Sequence, residues 1–97
     1  MERLNKNETM NTFEFIQSEN YRKNIQNSKY PETCVVCGKG IKDIDSSKYV
    51  HMNTDWKVVK SDISEEDCMR LTGAESQGCF PIGNDCAKKI PKNFIIN

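Results

Sequence analysis

The pair Cys34 and Cys37, set in Cys34-Val35-Val36-Cys37-Gly38-Lys39-Gly40, constrains this chain more than any other stretch. Two intervening residues let both sulfurs face one ion, and Gly38 and Gly40 permit the positive φ angles of a tight turn. The stretch reads as a zinc knuckle, which supplies two of the four ligands of a closed tetrahedral site. Without such a staple the chain is poorly equipped to fold. Its 97 residues are 36% hydrophobic and 29% charged, and apolar burial must offset roughly 1–2 kcal/mol per residue of backbone entropy. Structural zinc contributes on the order of 10–16 kcal/mol in small finger peptides, so metal and fold are expected to be lost together.

The later residues able to complete the site are His51, Cys68, Cys79 and Cys86. Cys86 falls in the first turn of a helix expected to open at Asn84 and stop at Pro91, where free N–H groups and the dipole favour a thiolate. Lys48 to Met52 and Trp56 to Lys60 are two β-favouring runs around the turn residues Asn53-Thr54-Asp55, which predicts a hairpin over 48–60. Trp56 is expected to cover one side of the metal. Knuckle, hairpin and a cysteine opening a helix make the plan of a treble-clef finger. Spacing alone leaves the fourth ligand open between His51 and Cys79, while Cys68, near Met69 and Leu71, suits a buried free thiol.

Around this centre the fold class expected is a small zinc-stabilised α+β domain over residues 31–97, preceded over 1–30 by an arm and an amphipathic helix. Asn11 and Glu14 form a capping-box pair that predicts a helix to about Asn27, its thin stripe of Phe13, Ile16, Tyr21 and Ile25 packing on the zinc core. Tyr30-Pro31 breaks it. Ser64-Glu65-Glu66-Asp67 predicts a second helix, capped by Ser64 and stopped at Gly73, and residues 72–79 read as an exposed loop.

Three islands, Cys34-Val-Val-Cys-Gly-Lys39, Tyr49-Val-His-Met52 and Gly78-Cys-Phe-Pro-Ile-Gly-Asn-Asp-Cys-Ala-Lys-Lys-Ile90, resemble small phage and prophage proteins. Those proteins pair a Cys-x-x-Cys-Gly-Arg/Lys knuckle with a Gly-x-Phe-Pro-Ile-Gly-x-x-Cys-Ala-Lys ending, and most have no assigned function. The resemblance covers residues 34–90 and implies one zinc ion on Cys34, Cys37, His51 and Cys86, because the place of Cys79 need not be cysteine. A Cys3His site of this kind is closed, and the zinc structural.

Net charge is zero, which gives no general attraction to nucleic acid or anionic membrane. Charge is nevertheless segregated. Residues 34–60 carry five lysines against three aspartates, 61–85 carry Arg70 against six acids, and 86–97 carry three lysines and no acid. With no apolar run long enough for a bilayer and no signal sequence, a cytoplasmic protein is expected. Its single histidine leaves no Cys-His or Ser-His-Asp set, so a non-enzymatic module docking on a host or phage protein is the first expectation. The second is a nucleic-acid finger using Lys39, Lys42, Lys57, Lys60, Lys88 and Lys89 on phosphates. The third, thiol redox use of Cys34 and Cys37, is disfavoured because Gly38 and Gly40 are poor helix residues.

Overall fold

The computed structural model describes residues 11–97, so the expected arm up to residue 10 lies outside the described residues. Four strands form one antiparallel sheet in the order β1-β3-β2-β4: β1 Thr12–Glu14, β2 Lys48–Asn53, β3 Lys57–Val59 and β4 Ser76–Ile82. Three helices accompany it, α1 Tyr21–Gln26, α2 Glu65–Thr72 and α3 Asn84–Ala87. Short 3₁₀ turns cover Ile44–Ser46 and Lys92–Phe94. The broad class is α+β, as composition and pattern suggest.

The hairpin forms as expected. Asn53 Oδ1 accepts from the N–H groups of Asp55 and Lys57 at 3.0 and 3.1 Å, an Asx-type closure that holds the turn. Trp56 takes a positive φ of 60° there. It stands 55% exposed, with its ring 6.5 Å from that of Phe15. The α2 boundaries also follow the local signals. Ser64 Oγ accepts from Asp67 N–H at 3.2 Å, and Gly73 ends the helix at φ 86°.

Two expectations are overturned. Residues 11–27 are not one helix: Thr12, Phe13 and Glu14 pair with Val59, Val58 and Lys57, and the helix begins only at Tyr21. Asn11 does not cap, because its carbonyl accepts from Lys60 N–H and its side chain donates to Leu71 O. The β-favouring Thr-Phe-Glu-Phe run finds an open edge on β3, and Phe13 reaches the ring of Phe94 at 5.7 Å. Long-range pairing thus outweighs a weak local cap. Ile16, expected in the core, is 76% exposed. The second correction is β4, which occupies most of the segment read as a loop. Gly78 sits within it at φ 96° opposite Met52, and a register shift falls between Met52 and Asn53. A bulged strand with an internal glycine has little local signature.

The period of two along β2 divides the protein into two layers. Val50 and Met52 face a core with Val58, Ile82, Phe94, Ile95, Cys34 and Cys86. His51 and Asn53 face the other side, where Val59 and Ile63 form a smaller cluster with Cys68 of α2. Asn53 confirms the assignment by donating to Thr72 Oγ1 of α2 at 3.1 Å.

Candidate metal centre

The knuckle is a tight loop closed by its own backbone. Cys34 N–H donates to Lys39 O at 2.9 Å and Gly38 N–H to Cys34 O at 2.8 Å, with Gly38 at φ 80°. Side chains could not replace Gly38 cheaply, since a Cβ there would run into the carbonyl oxygen of Tyr21 and the side chain of Ile25. The loop is fastened to the sheet where Val35 N–H donates to Pro81 O at 2.9 Å. Its remaining carbonyls are taken by the segment before it: Gln17 Nε2 donates to Val35 O, Ser18 N–H to Val36 O and Asn24 Nδ2 to Cys37 O. The Asn and Gln residues that interrupt the apolar stripe of the expected helix are therefore the knuckle's supports. Those interruptions were the only trace of the role.

The sequel to β4 brings in the third sulfur. Ile82 ends the strand, α3 begins at Asn84, and Cys86 is carried back over the knuckle. The sulfurs of Cys34, Cys37 and Cys86 lie within 4.8 Å of one another, a limit that admits the spacing of about 3.8 Å that bonds of ~2.3 Å to a tetrahedral zinc impose. Among the described residues, no histidine, carboxylate or further cysteine joins them.

The electrostatics suit a cation. Burial acts to raise the Cys34 thiol, but N–H groups of Gly83, Cys37 and Val36 and the Cys37 side chain outweigh it, and the pKa falls below the ordinary value. Cys86 is pushed up to about 12, first by burial, then by the charge of Cys34, by hydrogen bonding to Cys37 and Cys34, and by the charge of Cys37. One thiolate thus forms readily while the next is resisted by its neighbour. A divalent ion removes that conflict, so the three donors could hold a soft or borderline metal such as zinc.

His51 is not brought to this group. It is 2% exposed and its Nε2 lies 2.6 Å from Ser76 Oγ, on the α2 side of the sheet. The sulfurs lie on the opposite side, and a strand's period of two forbids one position from serving both faces. Cys79, directly across from His51, is exposed, and its thiol is raised by burial and by the nearby charge of Glu65. Cys68 is fully buried on the inner face of α2, with Sγ 3.7 Å from Thr72 Oγ1, in keeping with a free core thiol.

A second feature adjoins the centre. Immediately after Cys86, Ala87 and Lys88 line a groove of about 670 Å³ whose apolar lining is completed by Ile90 and Ile95 and whose charged lining by Lys48 and Lys92. Among the described residues, its lining side chains include no aromatic ring, guanidinium or carboxylate, and Asn84 and Asn97 are the uncharged polar ones. Comparison with family models, with curated proteins and with solved structures finds no match. No helix among the described residues is long and apolar enough to cross a membrane.

Proposed function

We propose that this chain is a zinc-stapled binding module of phage type that docks on a protein partner through the lysine-rimmed groove beside Cys86. The observation that carries the reading is the continuity of the two features: the sulfur of Cys86 belongs to the metal group, and the next two residues line the groove. An ion that fixes α3 also fixes the binding surface. The occupant that suits the groove is an acidic segment bearing an aliphatic side chain, with carboxylates on Lys48, Lys88 and Lys92 and the apolar group on Ala87, Ile90 and Ile95.

The nucleic-acid reading is weaker on this surface. Single-stranded nucleic acid is held largely by bases stacking on aromatic rings, and the groove offers none. Thiol redox use finds no support either, because Cys34 and Cys37 sit in a turn that leads into no helix.

The test is a random-peptide display selection on zinc-loaded protein, with counter-selection on the K48E/K88E/K92E variant. Acidic, aliphatic-bearing sequences should be enriched on the parent and lost on the variant. Failure to enrich them sinks the docking reading, as does oligonucleotide binding with a steep salt dependence.

A further inference from the structure

Gly83 stands three residues before Cys86, so Gly83-Asn84-Asp85-Cys86 repeats the spacing of Cys34 to Cys37 with glycine in place of the first cysteine. The fold gives that spacing a spatial meaning. A Cβ placed on Gly83 would have Cys34 Cβ and Cys34 Sγ as its nearest neighbours, both at 3.8 Å. The missing side chain therefore points at the sulfur group, at ordinary contact distance. Gly83 has φ −68° and ψ 156°, a conformation open to any L residue, so the backbone makes no demand for glycine. Gly83 is half-buried and Asn84 and Asp85 are exposed, so this segment lies at the protein surface.

We propose that an ion held by Cys34, Cys37 and Cys86 keeps its fourth position open on the Gly83 side and takes there an exchangeable neutral donor, water or an imidazole nitrogen. The inference rests on the metal reading given above and changes its character. Three protein ligands with a free fourth position make a site that binds and releases a ligand, whereas four make one that only holds the fold. The preference for a neutral donor follows from charge. Three thiolates and a divalent ion already sum to −1, and a fourth anion would take a partly buried site to −2. The single histidine of the chain, His51, is turned to the other face of the sheet, so the imidazole must come from outside.

Cobalt(II) makes the position visible, since its visible bands report coordination and its charge-transfer bands report the number of Co–S bonds. The wild-type protein loaded with one Co²⁺ per chain, verified by native mass spectrometry, is titrated with imidazole. Its visible bands should shift while the ion stays bound, and Gly83→Ala, which adds no donor, should respond in the same way. Gly83→Cys should gain charge-transfer intensity for a fourth Co–S bond and lose the imidazole response. A wild-type spectrum that imidazole leaves unmoved overturns the open position, as does a Gly83→Cys protein that gains no Co–S intensity. Failure of the wild type to take up Co²⁺ at all is a different result, and removes the metal reading with it.

Discussion

The unequal thiols of the metal group set a measurable pH dependence for metal binding. Each ligand must lose its proton to bind, so every thiol still protonated in the metal-free protein adds about tenfold in affinity per pH unit. Ordinary thiols, with pKa values near ~8.5, stop contributing once they have ionised. Cys34 stops earlier still, because its pKa is lowered. Cys86, at about 12, goes on contributing after Cys34 has finished. Apparent zinc affinity should therefore climb by at least about 100-fold between roughly pH 9 and pH 11, the contribution of the Cys86 proton, after correction for metal hydrolysis. Competition against a chelator of known affinity at each pH measures it. A flat profile above about pH 9.5 would mean that Cys86 has already ionised there, and the crowding argued from the geometry would be refuted. The metal-free protein carries the complementary signature. The raised folded-state pKa of Cys86 makes its contribution to stability complete below the ordinary thiol pKa and progressively lost as pH rises through about 12. Cys34 has the opposite sign: its contribution is present above the ordinary thiol pKa and fades as pH falls through the lowered one.

Cys86→Ser should abolish one-to-one zinc binding in native mass spectrometry, while Cys68→Ser, in the separate cluster with Val59 and Ile63, should retain it; the reverse order would misplace the site. His51→Ala should keep its zinc and lose about 1–3 kcal/mol in denaturant unfolding, since it removes the partner of Ser76 from a buried position. Loss of zinc in that variant would show that the histidine reaches the sulfur side. Gly38→Ala should destabilise by more than the ~1 kcal/mol expected for an unfavourable φ alone, because its Cβ meets the Tyr21 carbonyl. An unchanged melting temperature would contradict the close approach of α1 to the knuckle.

What could be read along the chain was what short-range chemistry decides. The knuckle follows from Cys34, Cys37 and Gly38 within five residues, the hairpin from Asn53 between two β-favouring runs, and the ends of α2 from Ser64 and Gly73. Cys86 was also legible, since an Asn-Asp opening places it on the first turn of a helix. The N-terminal segment was misread because Asn11 and Glu14 imitate a cap, and only the free edge of β3 shows that Thr12 to Glu14 complete a sheet.

The chain's local pattern thus determined on its own that two cysteines share a loop, that a third opens a helix, and that the whole is a small α+β protein. Tertiary structure alone decided that Gln17, Ser18 and Asn24 brace the knuckle, that residues 76–82 form a strand, and above all which face His51 occupies. The reason is the strand's period of two. Moving β2 by one residue against its neighbours would turn His51 to the sulfurs, and that register is set by Val50, Met52, Val58 and Ile82 packing with Phe94, partners as far apart as 44 residues in the chain.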